Sequence, residues 1–502
     1  MMPILGSTVS TVTEPSLLPV FACLASLLAI PGILAFRKSP NAREGVTFIA
    51  GGIKLALVLM MVPGVLSGKM YEFRFFELVE GVGLEFRVDG LGLLFGIVAS
   101  FLWLCTTLYA IGYMRAHHET NQTRFFSFFA LSLCATLGVA FAGNLLTLYI
   151  FYEMLSLSTF PLVSHHGDKK ARTGGRTYLS YLLGASIGLA LPALIFCYTR
   201  SPEGMDFMTG GFMAGKVGAT EAAILLLMFA YGFAKCGLMP LHSWLPGAMV
   251  APTPVSALLH AVAVVKVGVF CVIRVVTGVF GTDFLLEVDA ATALQWAAAI
   301  TVVVSSLIAL SQDNLKRMLA FSTIGQLGYI VLGVALLSPK GVAGSMLHIA
   351  MHATGKITLF MCAGAIFVAT GKKYISQMEG MGRTMPLTFA AFFIGSLSVI
   401  GLPPTGGFIS KFYLVMGTIE AGKIPLLVVF LVSTILNAAY FMPIVFRAFF
   451  PRGPTAPFRW DRVQEVPKAC LIPILITATI TILAFFVPEL GQRLAALMVP
   501  GL

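Results

Sequence analysis

The chain reads as an all-α polytopic membrane protein of about fourteen transmembrane helices, and three observations lead there. Apolar runs of spanning length recur along nearly all of the 502 residues, and a helix needs about 20 predominantly apolar residues to cross a bilayer. Charged residues make up 11% of the chain and hydrophobic residues 58%, whereas soluble domains carry roughly 25% charged residues. The Lys and Arg sit mostly in short loops between the runs, as a positive-inside bias requires.

In order, the spans fall at 17–36, 46–66, 90–114, 123–142, 144–164, 176–199, 220–241, 254–280, 291–311, 318–338, 342–370, 386–419, 424–448 and 467–488. Residues 1–16 hold Glu14 and no Lys or Arg. A secretory signal carries a basic n-region, so 17–36 is expected to be a retained helix. The stretch 70–88 partly alternates around Gly81-Val82-Gly83 and reads as a small polar-edged β-hairpin or an irregular loop. The short junction at Gly143-Asn144 predicts a tight helical hairpin between spans four and five.

Two spans carry helix breakers. Span seven runs into Leu238-Met239-Pro240 and then Trp244-Leu245-Pro246, and span twelve contains Gly401-Leu402-Pro403-Pro404-Thr405-Gly406-Gly407. Such segments do not continue a helix. At membrane depth the freed backbone groups must face protein or a wet cavity. Broken helices in corresponding halves point to inverted repeats around a transport site. They lie five spans apart, so spans 4–8 and 9–13 form the natural repeat pair. The expected organisation is 1–120 as N-terminal helices with the hairpin, 121–285 and 286–450 as two five-helix repeats, and 451–502 as the region of helix fourteen.

The net charge of +11 does not point to nucleic acid, because the basic residues are scattered rather than clustered on one face. They favour the loops after odd-numbered spans, which places both termini outside. The cysteines at 23, 105, 134, 197, 236, 271, 362 and 470 lie almost all within apolar runs with no ligand spacing. They read as small buried hydrophobes, so no disulfide framework or iron–sulfur cluster is expected. No nucleophile elbow, P-loop or dinucleotide fingerprint appears, and no cofactor is expected.

The informative residues are charges inside spans. An ionised side chain at the bilayer centre costs about 2.5–3.5 kcal/mol on insertion scales, which makes each one a functional candidate. Glu153 lies near the middle of span five, Lys235 before the break of span seven, and Lys266 in the centre of span eight. Lys356 is central in span eleven, and Lys411 follows the break of span twelve. A lysine in a low-dielectric site changes protonation easily, and a glutamate at variable distance tunes it, so Glu153 and Lys235 together read as a switch. His348, His352 and Lys356 recur every fourth residue and share one helix face, as a wetted proton relay would. No carboxylate neighbours them in sequence, so a metal site is not expected. His260 falls about 240° around an ideal helix from Lys266 and is a further cavity-lining candidate. His165-His166 reads as part of a solvated basic loop, and Lys54 and Arg274 read as residues that snorkel to a membrane face.

Several runs of residues resemble one family. Phe233-Ala234-Lys235-Cys236-Gly237 with Pro240-Leu241-His242-Ser243-Trp244-Leu245-Pro246 is similar to its seventh-helix signature. Ala251-Pro252-Thr253-Pro254-Val255-Ser256-Ala257-Leu258-Leu259-His260-Ala261, continuing to Lys266-Val267-Gly268, resembles its eighth. Gln312-Asp313-Asn314-Leu315-Lys316-Arg317 with Ala320-Phe321-Ser322-Thr323 resembles the ninth-to-tenth junction. Gly401-Leu402-Pro403-Pro404 to Phe408-Ile409-Ser410-Lys411-Phe412 resembles the twelfth. These are features of the antiporter-like subunits of complex I, membrane-bound hydrogenases and Mrp-type multi-subunit cation/proton antiporters, and the resemblance covers roughly 85–450.

The resemblance implies fourteen helices, two inverted repeats and a hydrophilic axis in the membrane plane. It carries the family's helix-five glutamate onto Glu153, its helix-seven lysine onto Lys235, its helix-eight lysine onto Lys266 and its helix-twelve lysine onto Lys411. His260, His348, His352 and Lys356 form the expected secondary proton path. The chain stops soon after span fourteen, where the largest members continue, and Val163-Ser164-His165-His166-Gly167 looks most like the D-type subunit of the Mrp antiporters. The implied function is proton translocation within a hetero-oligomeric Na⁺(Li⁺)/H⁺ antiporter of the cell membrane. The alternative is a proton-pumping subunit of a complex I-like dehydrogenase or hydrogenase whose redox chemistry lies in other chains. Either way the chain is expected to be a transporter subunit rather than an enzyme on its own, with other membrane subunits as partners.

Overall fold

A computed structural model describes residues 12–451, 463–499 and 502, apart from the side chains of Leu259 and His260. The basic stretch 452–462 and residues 1–11 lie outside the described residues.

The chain begins with β1 (Val12–Pro15), then α1 (Leu18–Ala35), α2 (Pro40–Met60) and the short α3 (Val62–Leu66). The hairpin expected at 70–88 is β2 (Lys69–Val79) paired antiparallel with β3 (Val82–Val88), from Tyr71↔Val88 to Val79↔Val82. β1 adds a parallel third strand to β2, which four residues reading Val-Thr-Glu-Pro do not announce in the sequence.

Next come α4 (Gly90–Ala116), α5 (Gln122–Ala140) and α6 (Leu145–Val163). Asp89 caps α4 and Asn144 caps α6, each side chain accepting the backbone N–H three residues on. The hairpin is fastened to the α5–α6 turn. Arg87 N–H donates to Phe141 O at 2.6 Å, and Asn144 Nδ2 donates to Gly83 O at 2.7 Å.

Span six starts earlier than expected: α7 (Lys169–Ala185) passes through a π turn at Ser186–Ala190 into α8 (Leu191–Arg200). Span seven is shorter than expected. α9 (Ala219–Gly232) stops before Lys235, and the chain continues as a 3-10 turn, α10 (Trp244–Gly247) and a second 3-10 turn at Ala248–Val250.

Span eight is interrupted rather than continuous. α11 (Thr253–Ala257) leads into a π turn at Leu258–Val262, and α12 (Val264–Arg274) ends in another at Val275–Phe280. The ideal-helix angle between His260 and Lys266 therefore does not apply. The short α13 (Thr282–Glu287) precedes α14 (Thr292–Leu310), α15 (Leu315–Ala335) and the 32-residue α16 (Pro339–Thr370).

Span twelve divides into α17 (Pro386–Ile400) and α18 (Gly406–Glu420). Each of the two broken regions contains a cis X–Pro bond, Met239–Pro240 and Pro403–Pro404. α19 (Ile424–Phe449) and α20 (Lys468–Phe486) follow, and α21 (Glu489–Ala496) is a short amphipathic helix that the apolar runs do not reveal.

Eleven helices among the described residues are long and apolar enough to cross a membrane, with shorter apolar helices at Ala219–Gly232 and Pro386–Ile400. α15 is buried along its whole spanning window, so it is the innermost span, whereas α1, α19 and α20 turn wide apolar faces outward. All eight cysteines are free and buried, as expected of small hydrophobes. In α12, Gly268 packs against the Lys235 turn so closely that a Cβ there would overlap the backbone of Lys235 and Cys236. That glycine brings the span-eight and span-seven lysines into one core.

Candidate functional site

The site is a row of buried amines and imidazoles running across the protein interior. Lys235, Lys266 and Lys356 are fully buried, and Lys411 is 6% exposed. Among the described residues none of the four is in an ion pair with a carboxylate. Each is held instead by neutral oxygens, rings or an imidazole.

Lys235 sits on the 3-10 turn that follows α9. Its Nζ donates to Tyr152 O at 2.8 Å and to Ser156 Oγ at 2.6 Å, and it lies 3.1 Å from the centroid of the Tyr152 ring. Its backbone N–H donates to the Tyr152 hydroxyl at 3.3 Å. Tyr152 therefore grips Lys235 from both ends of its side chain. Glu153, next along α6, makes no hydrogen bond or ion pair with Lys235. It lines an apolar groove between α5 and α6 with Phe128, Leu131 and Leu157, and neither carboxylate oxygen has a hydrogen-bond partner. The structure thus puts Glu153 beside the residue that holds Lys235 without joining the two charges.

Lys266 Nζ and His352 Nδ1 lie 2.6 Å apart. Either a protonated amine donates to the imidazole or the imidazole N–H donates to a neutral amine, so one proton can reside on either partner without moving a heavy atom. His352 Nε2 is buried with no partner. His348 stacks on His352 with ring centroids 5.6 Å apart. Its nitrogens meet Ser410 Oγ at 2.8 Å and Gln326 Oε1 at 3.1 Å, which ties α16 to α18 and α15. Lys356 donates to Ser322 Oγ at 2.8 Å, and the Tyr440 hydroxyl donates to the same oxygen at 3.0 Å.

Lys411 shows why the broken helix matters. α17 ends at Gly401, whose φ of 91° stops the helix and leaves carbonyls without the next turn's N–H. Lys411 Nζ donates to Val399 O at 2.8 Å and Ile400 O at 3.1 Å. It also stands 4.3 Å from the Tyr329 ring centroid. The negative end of the helix dipole adds to this hold on a cation.

Two cavities open at opposite ends of α4 and α16. One, of about 500 Å³, is lined by Arg87, Asp89 and Gly90 near the hairpin and by Val342 of α16. The other, of about 530 Å³, is lined by Tyr113, His117, Lys316 and Ala363. Their rims on α16 are 21 residues apart, roughly 32 Å at 1.5 Å per residue. His348, His352 and Lys356 stand between them.

Several expectations need correction. Lys54 does not snorkel: it is fully buried, donating to Ser26 Oγ at 3.1 Å and Leu133 O at 2.7 Å. Arg274 does not snorkel either; it is 3% exposed and pairs with Asp89, one contact being 2.6 Å. His165 is buried rather than solvated. Its burial, with Arg124 and His166 nearby, lowers its pKa to about 4. His166 is exposed and faces Glu119 at 3.5 Å. The side chain of His260 lies outside the described residues. Residue choice by charge alone misses Tyr152, Ser156, Ser322, Gln326, Ser410 and Tyr440. It also passes over Lys316, whose Nζ donates to Ala251 O at 2.8 Å within the break between spans seven and eight. Small polar residues on apolar helices are the one sequence signal for most of them, and it does not say which partner each one bonds.

Comparison with known proteins fits this geometry. Residues 142–437 match the family described as NADH:quinone oxidoreductase/Mrp antiporter, TM. The chain belongs to this family. Residues 80–126 match a second family, NADH-Ubiquinone oxidoreductase (complex I), chain 5 N-terminus. The chain is 30% identical over 469 residues to the NADH-quinone oxidoreductase subunit N of Desulforudis audaxviator, covering 90% of this chain and 93% of that one. It is 31% identical over 487 residues to the A/B subunit of a probable K(+)/H(+) antiporter of Rhizobium meliloti, covering 91% of this chain. It spans about half of that antiporter protein, 48% of its length. A structure of the Mrp complex from Dietzia sp. DQ12-45-1b contains a chain of the same fold, with a TM-score of 0.83 at 22% identity over 96% of both chains. Neither relative's name singles out the D-type subunit. The matched segment 142–437 contains Glu153, Lys235, Lys266, His348, His352, Lys356 and Lys411, while Lys54 lies outside it.

Proposed function

We propose that this chain is the proton-translocating antiporter-like subunit of a multi-subunit Na⁺(Li⁺)/H⁺ antiporter in the cell membrane. One observation carries the reading: a row of buried amines and imidazoles, without carboxylate partners among the described residues, lies between two cavities at opposite ends of the helices. An uncompensated buried charge is expensive, and a membrane protein keeps several in line where protons move.

In this reading a proton enters from the basic-loop side, loads Lys235, and passes through Lys266 and the α16 row of His348, His352 and Lys356 to Lys411. Glu153 sets how strongly Lys235 holds its proton by approaching or leaving it. The family and the full-length kinship with a quinone oxidoreductase subunit support a second reading, in which the same row is driven by redox chemistry in partner chains. Both place the chain among other membrane subunits. The two segments 121–285 and 286–450 serve as half-units, each with one broken helix and one lysine at its break. Both termini lie outside, because the basic residues favour the loops on the other side.

Cation/proton exchange in everted vesicles tests the transport reading. Lys235→Ala and Glu153→Ala are expected to lower exchange on the order of 100-fold, the range of a lost acid–base group. Unchanged exchange with normal assembly removes the reading. The chains that co-purify separate the antiporter from the redox-driven alternative.

A further inference from the structure

Lys54 is the buried amine that the axis does not use. It lies on α2, outside the segment 142–437 that the family model matches, and is fully buried. It is lodged against α1, α4 and α5. Ser26 Oγ of α1 accepts a hydrogen bond from it at 3.1 Å and in turn donates to Cys23 O at 3.1 Å. Leu133 O of α5 accepts at 2.7 Å. The Trp103 ring of α4 lies 5.1 Å from Nζ. Among the described residues no carboxylate pairs with it, and the titratable groups that face it are the thiols of Cys23 on α1 and Cys134 on α5.

The donor arithmetic fits two protonation states. A neutral amine has two N–H groups, which Ser26 Oγ and Leu133 O take up. An ammonium has a third, and an aromatic face is a suitable neighbour for a cation. The position also suits the axis. Leu133 lies seven residues before the end of α5 and Glu153 eight residues after the start of α6, and the two helix ends meet in one tight turn. The Ser132–Ser158 bond and the approach of Gly138 to Phe151 set the register of the two helices, so Glu153 is level with about residue 137, roughly 6 Å along α5 from Leu133. α5 separates them, and Ser132 of α5, adjacent to Leu133, bonds Ser158 of α6 at 3.1 Å. Ser158 lines the same groove as Glu153.

We propose that Lys54 is a further protonatable site of the transport path, lying across α5 from Glu153 and lodged between Ser26, Leu133 and Trp103. It extends the row of buried amines into the N-terminal helices and holds a proton at the end beyond Glu153. This rests on the transport reading above.

The test uses the assembled complex in everted vesicles, with exchange measured across a pH series. Lys54→Met, of similar length and apolar, is expected to assemble and to lower exchange several-fold. Lys54→Arg is expected not to restore it, because a guanidinium keeps its proton. Ser26→Ala removes one acceptor from a charge-assisted bond with little change in volume, and is expected to shift the pH profile by about one unit. Lys235→Met is the control. If it abolishes exchange while Lys54→Met and Ser26→Ala keep the wild-type rate and profile, Lys54 is structural and the inference falls. If Lys235→Met also leaves exchange intact, the transport reading itself fails. Should Lys54→Met fail to assemble, the Ser26→Ala profile decides alone.

Discussion

At the scale of single residues, the question is whether each buried lysine is a fixed charge or a proton carrier. Arginine separates the two, because it preserves the charge but does not release its proton at working pH. Lys266→Arg is therefore expected to abolish exchange as fully as Lys266→Ala, about 100-fold, with the complex still assembled on native gels. A fixed-charge role predicts partial rescue by arginine. His352→Gln is expected to lower the rate by a similar factor, because it removes the proton acceptor 2.6 Å from Lys266. Lys235, Lys266, Lys356 and Lys411 are legible in the sequence because hydrocarbon penalises an ammonium wherever it sits mid-run. Lys54 is less legible: six residues from the end of α2, it looks able to reach a membrane face. Its direction, inward onto Leu133 rather than outward, depends on how α1, α2 and α5 pack. The oxygens that hold the lysines are equally hidden, since a serine on an apolar helix reads the same whether it bonds its own turn or a neighbour's ammonium.

At the scale of elements, irregular segments do the positioning. Proline and glycine mark the breaks near 233–252 and 401–405 in the sequence, but the π turns at 186–190, 258–262 and 275–280 have no comparable signature. Spans therefore come out in the right order with the wrong interiors. The close approach of α12 to the Lys235 turn depends on Gly268, and Gly268→Val is expected to destabilise this junction by roughly 1–3 kcal/mol. A lower midpoint of thermal inactivation in detergent, together with slower exchange, checks it.

The hairpin carries a separate, pH-dependent element. Glu85 is 2% exposed, and burial raises its pKa from 4.5 to about 7 against the opposing pull of Arg87, with Asp206 and Glu72 adding to the rise and Arg74 opposing it. The native state thus binds this proton more tightly than the unfolded chain. The stabilisation from it is complete below 4.5 and is lost as pH rises through 7. The protection of amides 82–88, taken relative to their intrinsic exchange rate at each pH, is expected to fall across that window in the wild type and to stay flat in Glu85→Gln. A wild-type hairpin equally protected at both ends of the window contradicts this.

At the scale of the whole molecule, the two broken regions and the row between them raise the question of one conduit or two. Lys235 belongs to the first half of the chain and Lys411 to the second, and each is anchored beside a different break. If the halves were independent half-channels, Lys235→Met would leave the Lys411 half working, and the reverse. Each single variant would keep part of the exchange, and the double variant would lose the sum. The packing argues for a series arrangement. Lys266 of the proposed segment 121–285 touches His352 of the proposed segment 286–450, His352 stacks on His348, and His348 meets Ser410, the residue before Lys411. Titratable groups thus form part of the contact between the two segments, beside the apolar packing of α11 and α12 on α15 and α16. In a series conduit every member is required, so either single variant removes nearly all exchange and the second adds nothing. Residues acting as a unit show this non-additivity. Exchange rates of Lys235→Met, Lys411→Met and the double variant in one vesicle preparation check it. Three equal residual rates fit a single row, and a double-variant loss equal to the sum of two partial losses divides the molecule into two paths.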